Sequence, residues 1–233
     1  MTRLDKYLCD SGILTRSEAS RAVRSGRVAV NGVQMRDPSA KIDEKTASVT
    51  LDSKEIGWKK FRYIMLNKPT DTVSTTEDDP KSVMKLLPPE FSRMDMFPCG
   101  RLDIDTTGLL IITNDGHTAY NLLSPKKHCE KTYRFTCIPI DEKQKTELES
   151  GVELSDFTSK PCSISLSSPS SGEITVTEGK YHQIKRMFLS VGSEILTLER
   201  TVFAGIPLDE TLERGEWREL TASEEKLLTD YNK

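Results

Sequence analysis

Residues 100–116 combine glycines with a short apolar run, and this combination constrains the fold more than any other part of the chain. Residues 109–112 are all apolar and predict a buried strand, which would anchor the loop before it on rigid structure. That loop carries Asp103 and Asp105, so it either presents a carboxylate for chemistry or uses both acids only to accept backbone hydrogen bonds in a turn. The segment also contains Gly100, Gly108 and Gly116. Glycine permits backbone conformations and close approaches that a Cβ would obstruct.

Composition excludes several classes of protein. At 233 residues the chain is long enough for two domains. No apolar run approaches the length of a membrane span. Charged residues near the start lie where a signal peptide would need its apolar segment. We therefore expect a cytoplasmic protein that contacts no membrane. The five cysteines are scattered without a C-x-x-C pair, and the three histidines lack zinc-ligand spacing. Neither a disulfide framework nor a metal site is predicted.

The first 36 residues are basic, although the formal net charge of the whole chain is −3. Apolar residues in the segment 4–8 predict one face of a short helix. A second helix would begin at a cap formed by Thr15 or Ser17 and run to Ser25. The dipeptide Asn31-Gly32 between alternating valines predicts a tight β-hairpin. The segment should therefore fold as two small helices against a hairpin.

This segment resembles the S4 RNA-binding domain over about residues 2–50. The resemblance rests on Arg3 to Leu8, on the arginine-rich second helix and on the run from Gly26 to Gly32. It implies a docking module whose basic side chains contact RNA phosphates, which gives affinity and orientation but little sequence reading. The alternative is a solvated helix face. The side chains expected to bind RNA are Arg3, Lys6, Arg16, Arg21, Arg24 and Arg27.

A larger domain should follow. We place the boundary near residue 58, which gives domains 1–57 and 58–233. Strands and helices in the second domain are mixed without regular βαβ alternation, so the expected class is α+β around a mainly antiparallel mixed sheet. Strands are predicted at 61–67, 109–112, 131–137, 162–166, 173–177 and 194–203, and helices at 81–87, 117–123, 141–150 and 181–191.

Four segments of the larger domain carry polar residues in a recognisable pattern: Asn67-Lys68-Pro69, Gly100 to Gly116, Glu130 to Tyr133, and Glu178 to Phe188. Together they resemble the motifs of the pseudouridine synthases. With the S4-like module the resemblance spans essentially the whole chain, and it is closest to the members that act on small-subunit ribosomal RNA. One position departs from the family, since Asp71 stands where a glycine is common in the first loop.

The resemblance implies that one uridine in RNA is isomerised to pseudouridine, without a cofactor because no redox change occurs. The family's essential acid corresponds to Asp103, which either attacks the sugar or removes a proton from it. Lys185 or Arg186 would keep this carboxylate ionised, and Tyr133 would stack on the uracil. Asp105 lies two residues from Asp103, so in extended backbone it would point to the opposite side and have a structural role. Further candidates for holding the extruded nucleotide are Arg101, Asn67 and Lys68.

The expected partner is ribosomal RNA, either free or in a partly assembled small-subunit particle, and the expected state is a monomer. A synthase of the same family acting on large-subunit ribosomal RNA is one alternative. Another is a non-catalytic S4-type RNA-binding or ribosome-assembly protein. A glycoside hydrolase that uses Asp103 and Asp105 is the weakest alternative. Such enzymes need carboxyl groups about 5–9.5 Å apart across a sugar cleft, and nothing in the sequence indicates such a cleft.

Overall fold

The computed structural model describes residues 1–57 and 59–231 and contains two compact units. The boundary predicted near residue 58 falls on Trp58, which lies outside the described residues. Each unit has its own buried apolar core. The first unit comprises Met1–Arg62 and Leu87–Met96, and the second comprises Tyr63–Leu86 and the chain from Phe97 onward.

The first unit packs two helices against a small sheet. Its elements are β1 (Thr2–Arg3), α1 (Leu4–Asp10), α2 (Arg16–Arg24), β2 (Val28–Val30), β3 (Val33–Met35), β4 (Lys41–Ile42), β5 (Val49–Leu51) and β6 (Lys54–Glu55). Thr15, one of the two residues predicted as the N-cap, caps α2 and forms a capping box with Glu18. The predicted hairpin is present, and β5 and β6 extend it into a sheet of order β3-β2-β5-β6. Apolar faces of both helices fill the core above this sheet.

The second unit is built on one large sheet. Its strands are β7 (Tyr63–Lys68), β8 (Phe97–Pro98), β9 (Thr107–Thr113), β10 (Lys131–Cys137), β11 (Ser163–Ser168), β12 (Ser171–Val176), β13 (Ile195–Phe203), β14 (Ile206–Pro207) and β15 (Trp217–Glu219). Its helices are α3 (Gly116–Leu123), α4 (Glu142–Ser150), α5 (Gln183–Ser190) and α6 (Ala222–Thr229). Three short 3-10 helices span Val83–Leu86, Phe91–Arg93 and Pro125–Lys127, the second of them in the first unit.

The strand order is β11-β12-β10-β13-β9-β7-β15, with β8 paired to β9 and β14 to β13. All of these pairs are antiparallel except β9 with β13, which is parallel. All six residues of β7 are buried, whereas β10 alternates buried and more exposed residues, so β7 lies in the interior and β10 faces solvent on one side. The architecture confirms the predicted α+β class and the mainly antiparallel mixed sheet.

Several predicted elements differ from those observed. The helix predicted at 181–191 begins only at Gln183, because His182 before it has a left-handed backbone conformation. The helix predicted at 81–87 is a 3-10 turn over Val83–Leu86. Strand β15 and helix α6 were not predicted, because the acidic sequence around them carries little apolar periodicity and α6 buries only Leu228.

Candidate active site

An open cleft in the second unit has Asp103 in its wall. The Asp103 loop forms one side, strands β10, β12 and β13 form another, and the chain entering α5 forms the third. Segments far apart in sequence thus meet at one carboxylate. The lining side chains that matter for chemistry are Arg101, Asp103, Tyr133, His182 and Lys185.

The parallel contact between β9 and β13 fixes the end of the Asp103 loop. Gly108 pairs with Arg200 in this contact and has a φ of +97°. A Cβ at position 108 would lie 2.4 Å from the carbonyl oxygen of Arg200, so glycine is required for this close approach. The buried Nε of Arg200 also donates to the carbonyl of Leu109 at 2.8 Å. Gly116 has no such contact, so the close-approach argument made from the sequence does not apply there.

Lys68 lies beneath the same loop and has no exposed surface. Its ammonium group donates hydrogen bonds to the carbonyls of Pro69, Asp103 and Thr106 at 3.1, 3.0 and 2.9 Å. Burial lowers the pKa of Lys68 to about 8, although the nearby Asp103 carboxylate acts in the opposite direction. Because the side chain is buried and its donors are occupied, Lys68 supports the loop and does not hold a nucleotide, contrary to the expectation from the sequence.

The Asp103 carboxylate faces a different nitrogen with each of its oxygens. Oδ2 lies 3.4 Å from Nζ of Lys185, and Oδ1 lies 3.6 Å from Nε2 of His182. The Asp103 side chain remains 29% exposed, so its carboxylate is accessible from the cleft. The site therefore presents an accessible acid held beside a cation on rigid elements.

Asp105 also contacts Lys185. Its Oδ1 accepts a hydrogen bond from Nζ of Lys185 at 2.5 Å, and this bond is the main reason why the pKa of Asp105 lies below its usual value. The expectation that Asp105 points away from Asp103 is wrong, because residues 104–105 form a turn and the two-residue alternation holds only in extended backbone. One lysine thus serves both acids.

Comparison with known proteins assigns the family. Residues 62–190 match the model of the RNA pseudouridylate synthases, and residues 2–46 match that of the S4 domain. An uncharacterized RNA pseudouridine synthase of Bacillus subtilis is 40% identical, with 98% of each chain aligned. The ribosomal small subunit pseudouridine synthase A of Vibrio cholerae is also 40% identical, over 95% of this chain and 97% of the relative. A crystal structure of a pseudouridylate synthase, 34% identical, matches with a TM-score of 0.69 over 98% of this chain and 100% of the other.

The chain belongs to the RNA pseudouridylate synthase family. It is an isomerase that forms pseudouridine in RNA and carries an N-terminal S4 domain, which confirms the family predicted from the sequence motifs.

The structure distinguishes the two cations considered as partners of Asp103 in this synthase. Lys185 reaches the carboxylate, whereas the Arg186 guanidinium pairs with the carboxylate of Asp156 and donates to the hydroxyl of Ser155 at 3.1 Å. The pairing with Asp156 also raises the pKa of Arg186 above its usual value. Arg186 therefore holds a neighbouring loop and is not the partner of Asp103.

Other predicted site residues of the synthase fall in different places. Tyr133 lies in the cleft wall on β10 and is 8% exposed, and Arg101 is exposed at the cleft. Asn67 does not line this cleft. Its side chain donates to the carbonyl of Leu212 at 2.8 Å and accepts from Arg214 at 2.6 Å, so it holds the chain before β15 and not, as expected, the nucleotide.

Asp71, the departure from the family pattern, keeps a backbone conformation suited to glycine. Its φ is +59°, and its N–H donates to the carbonyl of Ile104 at 2.9 Å. Aspartate tolerates the left-handed region better than most residues. The first loop therefore remains joined to the loop that carries Asp103 despite the substitution.

The six basic residues expected to bind RNA divide into two groups. Arg3, Lys6 and Arg27 form ion pairs with Asp5, Asp10 and Asp52, respectively. The other three are Arg16, Arg21 and Arg24, all on α2. They are exposed, and none of them forms an ion pair within residues 1–57 and 59–231.

His182 is the site residue that the sequence reasoning missed. It was considered only as a metal ligand, yet its ring lies 3.6 Å from Asp103 and stacks on Tyr181. The available signal was its position three residues before Lys185, within the motif that was already assigned to the site.

Neither a metal centre nor a membrane span was found in the described ranges. No group of three or more histidine, cysteine, aspartate or glutamate side chains there could hold a metal ion. No helix in the same residues is long and apolar enough to cross a bilayer.

Proposed function

We propose that this synthase converts a uridine of small-subunit ribosomal RNA to pseudouridine, with Asp103 as the acid that meets the sugar. The observation that carries the proposal is the position of the Asp103 carboxylate, which is accessible in the cleft and 3.4 Å from Nζ of Lys185. The choice of RNA rests on similarity to the small-subunit synthases A of Vibrio cholerae and Vibrio parahaemolyticus, which are 40% and 39% identical to this chain.

The reaction breaks the N1–C1′ bond of the uridine, turns the uracil and joins its C5 to C1′, and the proton on C5 is then lost. Asp103 either attacks the sugar or removes a proton from it, and an ionised carboxylate is needed in both routes. Lys185 places a cation 3.4 Å from this carboxylate. Because a base inside folded RNA is inaccessible, the nucleotide must be extruded into the cleft, where Tyr133 offers an aromatic surface for the uracil.

The S4 domain supplies docking in this proposal. Arg16, Arg21 and Arg24 are exposed and not engaged in ion pairs within the described residues, so they are the side chains available for phosphate contacts. We propose that the protein acts as a monomer. The proposed substrate is this RNA, either free or within a partly assembled small-subunit particle.

The decisive experiment compares Asp103→Asn with Asp105→Asn. Each variant removes one negative charge from the surroundings of Lys185, but only the first removes the proposed reacting group. We expect wild type to create a carbodiimide-dependent reverse-transcription stop in unmodified small-subunit RNA. Asp103→Asn should lower product formation by more than about 10³-fold, and Asp105→Asn should retain measurable turnover.

RNA affinity serves as the control for folding and docking, and both variants should bind RNA within about twofold of wild type, because docking rests on phosphate contacts of the S4 domain. Large-subunit RNA is tested in parallel. A wild-type stop only in large-subunit RNA would overturn the assignment of substrate. Substantial turnover by Asp103→Asn would overturn the role of Asp103.

A further inference from the structure

His182 contacts Asp103 from a loop that no other part of the proposed chemistry uses. Its Nε2 lies 3.6 Å from Oδ1 of Asp103, on the oxygen that does not face Lys185. The imidazole is 38% exposed, so it borders the cleft and is not part of the core. The carboxylate therefore lies between two nitrogen groups that approach from different residues of the same motif.

The hold of Lys185 on Asp103 is the weaker of its two contacts. Its Nζ lies 2.5 Å from Asp105 but 3.4 Å from Asp103. A carboxylate with one long contact retains freedom to rotate about its side-chain torsions, and a reacting group must be held within a few tenths of an ångström of its productive geometry. A second donor on the free oxygen would remove that freedom.

The backbone around His182 places its ring against Asp103. His182 has φ and ψ of 48° and 32°, a left-handed conformation that costs free energy in any residue with a Cβ and persists only where the surroundings enforce it. Gln183, which is 4% exposed, fixes the segment, because its side chain accepts from the N–H of Lys180 at 3.1 Å and donates to Glu178 at 2.7 Å.

The orientation of the ring is fixed by a neighbour as well. The imidazole stacks on Tyr181 with ring centres 3.8 Å apart and planes 17° from parallel. This stacking favours the ring orientation in which Nε2 faces the carboxylate. Backbone conformation and ring stacking thus act toward the same placement.

From this geometry we infer that His182 is a positioning residue, which holds Oδ1 of Asp103 while Lys185 holds Oδ2. The inference rests on the proposed role of Asp103 and adds the group that orients it. The separation of 3.6 Å is longer than a hydrogen bond. We expect it to shorten to hydrogen-bond distance when a nucleotide fills the cleft, because catalytic hydrogen bonds are often long before substrate binds.

Two substitutions separate the ring from the backbone. His182→Asn keeps a residue type that tolerates the left-handed conformation but is too short to reach Asp103. His182→Gln restores a longer side chain with an N–H donor. The matched control is His128→Asn, because His128 also has a left-handed backbone, with φ of 50°, and contacts Lys160 without lining the cleft.

The measurement is single-turnover pseudouridine formation over a range of RNA concentrations, with thermal melting as a check of folding. We expect His182→Asn to lower the maximal rate by about 10–100-fold with half-saturation within about threefold of wild type, since misplacing a reacting group by about 1 Å has such an effect. His182→Gln should recover part of the rate, and His128→Asn should match wild type.

A maximal rate of His182→Asn within twofold of wild type would overturn the inference, as would a change confined to half-saturation, which would show substrate binding instead of positioning. If His182→Gln were no faster than His182→Asn, the donor role would be excluded. Those results leave the proposed function intact. A wild-type protein without activity on any of the RNAs would overturn both.

Discussion

Lys185 determines how the two acids of the cleft differ. Its shorter contact is with Asp105, and that hydrogen bond lowers the pKa of Asp105. Asp103 receives the longer contact and lines the cleft, which Asp105 does not. Asp105 therefore acts as the permanent partner that holds the ammonium group in place. Asp103 is left accessible to react, with the ammonium group of Lys185 at 3.4 Å.

Asp71 allows a test of backbone strain beside this site. Its φ of +59° costs an ordinary residue about 1–2 kcal/mol, and aspartate less. We expect Asp71→Ala to lower the free energy of unfolding by about 1 kcal/mol, whereas Asp71→Gly should stay within about 0.5 kcal/mol of wild type because glycine adopts this conformation freely. Urea denaturation measures both. Equal stability of the two variants would show that position 71 is not strained.

Elements with local patterns were predicted well, and contacts between distant strands were not. Strand β10 matches its predicted bounds, Lys131–Cys137, because its apolar and polar residues alternate. The parallel pairing of Gly108 with Arg200 was not predicted, since it joins residues more than ninety positions apart and leaves no periodic trace. The partnership of Asp103 with Lys185 was available only through the family resemblance. The buried position of Lys68 was missed because lysine is rarely fully buried.

Helix α6 is attached to the edge strand β15 by charge. Both carboxylate oxygens of Glu224 accept from the Arg218 guanidinium at 2.8 Å, and Asp209 accepts from its Nε at 2.6 Å. The hydrogen bond from Arg218 is the main reason why the pKa of Glu224 falls to about 2. Two acidic residues near the C-terminus, Asp209 and Glu224, therefore hold the last helix on the sheet.

This attachment predicts an acid-dependent stability. A carboxyl group with a lowered pKa in the folded state stabilises that state above its unfolded pKa, and the contribution is lost as pH falls from about 4.5 toward 2. Glu224→Gln removes the charge but keeps a residue that suits the capping box with Thr221. At pH 7 we expect a loss of about 1 kcal/mol, reduced from a buried value because the pair is partly exposed.

The check is urea denaturation of wild type and Glu224→Gln at pH 7, 4 and 3. The difference between the two proteins should shrink as the pH falls below about 4.5, because the unfolded state of wild type then takes up a proton at Glu224 while the folded state still resists it. A difference that stays constant across this range would show that the charge of Glu224 does not stabilise the fold.

On the scale of the whole molecule, opposite charges are separated along the chain. The formal net charge is −3, yet α2 presents Arg16, Arg21 and Arg24 without ion pairs within the described residues. Acids near the C-terminus compensate, and some of them are engaged internally with Arg218. A chain that is acidic overall can therefore dock on RNA, because phosphates are contacted by a local surface and not by the average charge.

This distribution leads to a prediction about salt dependence. Each lost phosphate contact reduces the slope of log binding constant against log salt concentration by about 0.7–0.9. Arg21→Gln combined with Arg24→Gln should therefore flatten the slope by about 1.4–1.8.

The matched control is Lys6→Gln combined with Arg27→Gln, which removes the same charge from side chains already paired with Asp10 and Asp52. Its slope should change less, because those cations must leave a partner before they contact phosphate. Binding of ribosomal RNA at salt concentrations from about 50 to 200 mM measures both slopes. Equal flattening by the two double variants would show that net charge, and not the exposed face of α2, governs docking.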